Sequence, residues 1–276
     1  MPHYLVAESE TPEERAARRA HAGKSSGETY AATLRQLRPD AEITIVAPAD
    51  DAAQVYTREE MRAFDAVFLT GAPLHVYEDT PEVARQLAFM RTVFSAGRRS
   101  FGSCAGLQLA VAAAGGTVRK MPDRMEAGIA RRITPTEAGR THPLLAGRAA
   151  SWDAPAIHGD EVERLPEDAT LLASNAVTRV QAAEIRHDGG VFWGVQYHPE
   201  LALAEIAIAL RRQSEALVDA GMAENTAAVE TRADLLDALH ATPDQRALHW
   251  ALGIDDEFAD EARRRIEISN FLEAVE

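Results

Sequence analysis

Two short segments carry side chains able to do covalent chemistry together. The first is Phe101-Gly102-Ser103-Cys104-Ala105-Gly106-Leu107-Gln108, which places the chain's one cysteine between two glycines. Gly-x-Cys-x-Gly between a strand-like run (99–103) and an apolar helical run is the thiol form of a nucleophile elbow. The nucleophile sits on a sharp, strained turn, and side chains two positions to either side would collide with it or with the neighbouring strand. Glycine at both places removes the clash. The helix that follows points N–H groups and its positive dipole end at the sulfur, which favours thiolate over thiol. The N–H of Ala105 is placed to hold an oxyanion. A lone cysteine is more often a buried apolar side chain, so the elbow needs a partner to carry weight.

The second segment supplies one. Phe192-Trp193-Gly194-Val195-Gln196-Tyr197-His198-Pro199-Glu200 reads as a strand ending at a histidine. In extended chain, residues two apart point to the same side, so His198 and Glu200 face one another. Pro199 fixes its own φ and biases His198 away from helix. Glu200 then takes a hydrogen bond from one ring nitrogen and leaves the other for the thiol, the base-plus-orienter arrangement that activates a nucleophile. His-x-Glu alone is a weak signal. Joined to a cysteine elbow about ninety residues earlier it is a strong one, and it names Cys104, His198 and Glu200 as a catalytic triad.

These segments, in this order and spacing, resemble the class I (triad) glutamine amidotransferase family. Thr70-Gly71-Ala72-Pro73-Leu74-His75-Val76-Tyr77 resembles that family's Gly/Pro loop, and His158-Gly159-Asp160-Glu161-Val162 with Leu165-Pro166 is similar to a stretch in the glutaminase domain of GMP synthase and its stand-alone relatives. The resemblance covers about residues 2–215. It implies an open twisted, mostly parallel α/β sheet with helices on both faces. It implies that Cys104 attacks the glutamine side-chain amide, giving a γ-glutamyl thioester and ammonia, and that water then releases glutamate. It also implies a backbone oxyanion donor at Gly71 or Ala72 beside Ala105, and a substrate-holding role for Gln108. Two positions depart from the family pattern: Ala72 stands where many members have glycine, and Ile157 where the family has serine before His-Gly-Asp.

The surrounding chain supports this architecture. Strand-like runs at 4–7, 42–47, 65–70 and 99–103 alternate with helical patterns at 28–37 and 81–95, the latter turning Val83, Leu87, Met90 and Val93 or Phe94 inward. That alternation argues for a parallel sheet covered on both faces. Residues 8–26 are polar and Ser/Gly-rich and read as a loop or exposed helical excursion. After Gly116, runs at 117–134, 150–157, 169–174 and 178–197 read as strands, with a turn at Asp188-Gly189-Gly190. A helix over about 201–220 follows, stopping at Gly221.

The last quarter has a different character. Residues 1–200 hold 27 acidic and 22 basic side chains, whereas residues 201–276 hold 16 and 7, so most of the net charge of −14 lies in the tail. Leu235, Leu236, Leu239, Leu252, Ile266, Phe271 and Leu272 keep helical spacing there, and such residues must be buried against something. The expected organisation is a glutaminase domain over 1–222 and an acidic helical extension over 223–276, packed on the catalytic domain with an acidic outer face.

Other features point away from competing functions. The acidic balance disfavours nucleic acid and anionic membranes. No apolar stretch approaches the ~18 residues a bilayer span requires, and the start of the chain lacks a signal-peptide pattern. A single thiol fits a reducing cytoplasm. Gly23-Lys24-Ser25-Ser26 lacks the earlier glycine of a phosphate loop, since Arg18 stands there. The histidines show no metal-ligand spacing, so no cofactor is expected, and His142 and His158 read as structural. Trp152, Trp193 and Trp250 read as packing residues. No synthetase domain is visible. The expected activity is therefore a glutaminase that passes ammonia to a synthetase partner. The alternatives are a hydrolase of γ-glutamyl amides or peptides with the same triad, and a non-catalytic regulatory relative.

Overall fold

The computed structural model describes residues 1–122 and 125–276. The first half runs β1 (His3–Ala7), α1 (Pro12–Ala22), α2 (Ser26–Leu37), β2 (Glu42–Val46), α3 (Arg58–Met61), β3 (Ala66–Leu69), α4 (Pro81–Ser95), β4 (Arg99–Ser103) and α5 (Ala105–Ala113). Then come β5 (Thr117–Lys120), β6 (Glu126–Pro135), α6 (Glu137–Thr141), β7 (Trp152–His158), β8 (Asp160–Arg164), β9 (Ala169–Ser174), β10 (Ala182–His187) and β11 (Gly190–Val195). The chain ends in α7 (Leu203–Arg212), α8 (Ser214–Asp219), α9 (Thr226–Ala241), α10 (Arg246–Leu252), α11 (Asp256–Ala259), α12 (Glu261–Arg264) and α13 (Ile266–Val275).

Nine strands form one mixed sheet in the order β2-β1-β3-β4-β11-β10-β9-β6-β7, and β5 pairs with β8 apart from it. From β2 to β11 every pairing is parallel, and from β11 to β7 every pairing is antiparallel. The parallel half carries the β–α alternation seen in the sequence. In the antiparallel half, β10 and β11 are joined by a short hairpin, which can link only antiparallel strands, whereas β6 reaches β7 through α6 and pairs on its other side with β9. Asp188 and Gly189 both take positive φ, 43° and 85°, and so close the β10–β11 hairpin with a tight reversal.

Alternation along the strands loads two faces. Tyr4, Val6, Phe68, Phe101, Trp193 and Val195 pack with Tyr30 and Leu34 of α2, while Leu5, Val67, Leu69 and Phe192 pack with Met61, Met90, Val93 and Val111 of α3, α4 and α5. Helices therefore cover both faces, the α/β arrangement expected.

Residues 8–26 are more ordered than an exposed excursion. Thr11 and Glu14 form a reciprocal capping box with Pro12 at the first helical position, and Gly23 ends α1 at φ 74°. Glu8, Ser9, Glu10 and Arg15 are buried. Ser25 caps α2 and is boxed with Glu28, so the Gly-Lys-Ser-Ser run is helix punctuation.

The C-terminal helices divide their packing between two places. Helices α9, α10 and α11 bury Leu236, Leu239, Leu252 and Phe258 against Leu203, Ile206 and Leu210 of α7. Helix α13 instead joins the sheet core, where Ile268, Phe271 and Leu272 are buried with the strand residues. The Phe271 ring lies 5.4 Å from Phe68, 5.5 Å from Phe101 and 5.8 Å from Trp193. Glu267 is fully buried, accepts from Arg148 at 2.6 and 2.7 Å, and accepts from the Tyr197 hydroxyl at 2.7 Å. We propose that residues 1–222 do not close a core without α13, since without it the aromatic face of β3, β4 and β11 lies open. Phe271→Ala is expected to cost about 3–5 kcal/mol, the range for an aromatic truncated in a packed core, measured by urea unfolding. A loss below about 1 kcal/mol would place α13 outside the core.

Candidate active site

The topology gathers four loops at one edge of the sheet. Strands β1, β3, β4 and β11 run parallel, and residues 8–10, 70–72, 104 and 196–200 follow directly from their C-terminal ends. In open α/β sheets this end is where ligands bind. Ser103 of β4 pairs with Val195 of β11, so the cysteine and the histidine emerge from neighbouring strands.

Cys104 adopts φ 53° and ψ −111°, and its N–H donates to Val195 O at 2.8 Å. This is the strained backbone of an elbow, with an expected cost of about 1–3 kcal/mol. The glycines do what the spacing requires. A Cβ at Gly106 would stand 2.6 Å from Leu69 O, and one at Gly102 would stand 3.1 Å from the Gly106 carbonyl carbon. Ala105 heads α5, where N–H groups have no partner within the helix.

His198 is fixed from two sides. Its N–H donates to Pro155 O of β7 at 2.8 Å, and Nδ1 lies 2.7 Å from Glu200 Oε1. The Thr33 hydroxyl of α2 donates to the Glu200 carbonyl at 3.2 Å. A Cβ at Gly71 would lie 2.6 Å from His198 Cε1 and 3.5 Å from Cys104 Cβ, so this glycine, the cysteine and the imidazole meet at one point. Burial disfavours the imidazolium. The Glu200 charge, the Cys104 sulfur and the hydrogen bonds to both oppose it, and the His198 pKa is pushed up to about 10. With Nδ1 committed to Glu200, Nε2 is the nitrogen left to exchange a proton with sulfur or substrate.

These groups open into a cavity of about 540 Å³, lined by Cys104, His198, Glu200, Gly71, Ala72 and Gln108 among others. Gln108 sits one helical turn past the cysteine, and its Nε2 donates to Asp160 O and Gln196 Oε1, both at 3.2 Å. Ile157 of β7 also lines the cavity. His158 stands in its wall with Nε2 3.0 Å from Glu126 and Nδ1 2.9 Å from Asp160 O, so both nitrogens are occupied structurally. His142 lies apart, against Glu184 at 3.1 Å. Among the described residues no cluster of three metal-ligating side chains occurs, and no helix is long and apolar enough to cross a membrane.

Sequence reasoning did not anticipate the contribution of α1. Glu10, Glu14, Arg18 and Ser26 line the same cavity. The signal was the Thr11-Pro12-Glu13-Glu14 capping pattern, which announces a helix and puts Glu14 and Arg18 on one face.

The sequence profile described as Glutamine amidotransferase class-I matches residues 21–213. The chain belongs to this family. A γ-glutamyl-L-1-hydroxyisopropylamide hydrolase from Pseudomonas sp. is 32% identical over 98% of the chain and 91% of its own length. The glutamine-hydrolysing GMP synthase of Leifsonia xyli subsp. xyli is 34% identical over 50% of the chain, which spans only 26% of that enzyme. A glutamine amidotransferase from Thermotoga maritima superposes over 99% of this chain and 97% of its own with a TM-score of 0.65 at 14% identity, a likeness of fold. Family membership together with the hydrolase relative makes this protein an enzyme acting on a C–N amide bond.

The Glu200 charge is the largest of the effects that raise the His198 pKa. Removing a negative neighbour destabilises the imidazolium, so Glu200→Gln should move the alkaline limb of the kcat/KM profile to lower pH, from near 10 toward the ordinary histidine range. An unmoved limb would show that Glu200 does not set the charge of His198.

Proposed function

We propose that this enzyme hydrolyses the side-chain amide of γ-glutamyl compounds, N-substituted γ-glutamyl amides above all, with glutamine as the simplest member. The observation that carries the reading is the meeting of the Cys104 elbow, the His198–Glu200 pair and Gly71 in one cavity.

In the first half-reaction the Cys104 sulfur attacks the γ-carbonyl carbon, and the carbonyl electrons move onto oxygen. The Ala105 N–H and one from Gly71 or Ala72 hold that oxyanion. His198 passes its proton to the departing amine as the C–N bond breaks, leaving a γ-glutamyl thioester and a neutral imidazole. In the second half, His198 takes a proton from water as the water oxygen attacks the thioester carbon. The C–S bond breaks, glutamate leaves, and the thiolate–imidazolium pair is restored. Glu200 orients the ring throughout, and Gln108 holds the glutamyl part.

Two observations favour self-sufficient hydrolysis over delivery of ammonia to a synthetase. The hydrolase relative aligns across the whole chain, α1 and the C-terminal helices included, whereas the GMP synthase match covers half of it. The cavity, about 540 Å³ and lined by Glu10, Glu14, Arg18, Arg212 and Gln213 as well as by the triad, also leaves room for a substituent on the leaving amine. The purified protein alone should release glutamate from glutamine and faster from N-substituted γ-glutamyl amides. Cys104→Ala should lower kcat by roughly 10⁴ or more. Full activity in that variant would remove the thiol mechanism, and glutamate release only with an added partner would favour an amidotransferase subunit.

A further inference from the structure

Two of the proposed oxyanion donors sit on a segment with few ties of its own. Residues 71–74 follow closely on β3, and among the described residues none of them makes a backbone–backbone hydrogen bond. The Gly71 and Ala72 N–H groups are thus open to a substrate oxygen, but no such bond within the segment fixes their direction. An oxyanion donor works when it is aimed in advance, and a misplacement of about 1 Å can cost about a hundredfold in rate. The aim must come from the segment's two ends.

The near end is held from β1 and α2. Thr70 is fully buried, its N–H donates to Ala7 O at 3.1 Å, and its Oγ1 accepts from the Ser9 N–H at 3.0 Å. The Ser26 hydroxyl lies 3.0 Å from the same oxygen. Gly71 follows at once, close against the His198 ring and Cys104.

The far end is held by one carboxylate from a distant part of the chain. His75 Nδ1 lies 2.7 Å from Asp160 Oδ2, and the Tyr77 hydroxyl donates to Asp160 Oδ1 at 3.2 Å. A carboxylate only accepts, so Nδ1 carries a proton, and the phenol gives its own proton to the other carboxylate oxygen. Burial and the Asp160 charge push the Tyr77 pKa up to about 12, so the hydroxyl stays protonated at neutral pH. The Glu78 N–H donates to His75 O at 2.9 Å, which keeps both side chains on one turn. Between that turn and Gly71 stands Pro73, whose ring fixes its φ.

Asp160 is itself well anchored. It is buried at the start of β8, pairs with Lys120 of β5, and its carbonyl accepts from Gln108 Nε2 at 3.2 Å. Gln108 stands on the helix that begins at the nucleophile, so the carboxylate and Cys104 belong to one frame.

We propose that His75 and Tyr77, held by Asp160, are positioning residues that aim the Gly71 and Ala72 amides at the oxyanion. The inference deepens the hydrolysis reading above and rests on it. Both side chains act through the loop backbone. The clamp serves the tetrahedral intermediate and leaves the thiol alone, because Cys104 and His198 are tied to β11 and β7 instead.

The double variant His75→Ala with Tyr77→Phe removes both donors. Its kcat on a γ-glutamyl amide should fall about a hundredfold, with KM within about threefold of wild type. His75→Ala alone should lose about tenfold. His75→Asn, whose amide nitrogen can stand where Nδ1 stood, should stay within about threefold of wild type. Iodoacetamide separates aim from thiol reactivity, since the thiolate displaces iodide directly and no oxyanion forms. Its rate constant at Cys104 should be the same in wild type and the double variant. An unchanged kcat in the double variant, a rise in KM with kcat kept, or His75→Asn as slow as His75→Ala overturns the clamp. So does a loss of kcat matched by an equal loss of alkylation rate. All four leave the hydrolysis reading standing, whereas a wild-type protein that hydrolyses no γ-glutamyl amide removes that reading and the clamp with it.

Discussion

A cysteine held at positive φ is the constraint on which the rest of this structure depends. At φ 53° and ψ −111° Cys104 sits where a side-chain-bearing residue is strained. The turn persists because its neighbours leave it no alternative. Its N–H is bound by Val195 of the adjacent strand, Gly102 lies against Gly106, and Gly106 lies against Leu69. The parallel pairing that brings β3, β4 and β11 together thus fixes the sulfur, and the same pairing delivers Gly71 and His198 to it.

Behind the site the fold holds ionic groups out of water in closed sets. Glu267 binds both Arg148 and the Tyr197 hydroxyl. Burial and the Glu267 charge push the Tyr197 pKa well up, so the hydroxyl keeps its proton and donates it. Tyr197 precedes His198 in sequence, and α13 thereby supports the backbone from which the imidazole projects. Glu126 plays a similar part under the cavity, where His158, Thr178, Gln181 and Asn175 satisfy its carboxylate. Breaking a buried set of this kind leaves a charge unpaired, which costs more than a lost surface pair.

Much of this was legible in the sequence. The elbow spacing announced Cys104 because only glycine tolerates the contacts at 102 and 106. His-Pro-Glu announced the dyad because an extended chain with a proline places two residues on one side. Helix α4 and strand β4 match their expected spans. The antiparallel half of the sheet was harder to see, because alternation names strands without naming their partners. β6, for instance, pairs with β9 although β7 and β8 intervene in the chain. The role of α13 was hidden for a related reason: apolar residues at helical spacing demand burial without saying where. The α1 wall was missed because its polar residues resemble a solvated surface, and only the capping box hinted at a fixed helix.

The central claim is that Cys104 carries the γ-glutamyl group covalently during the reaction. Acid-quenching the enzyme during turnover of a γ-glutamyl amide and mapping adducts by peptide mass spectrometry tests it most directly. The account predicts one γ-glutamyl group on the peptide containing Cys104, removed by hydroxylamine and absent from Cys104→Ala. Turnover with no adduct under quench conditions that preserve a control thioester, or an adduct on another residue, would contradict it.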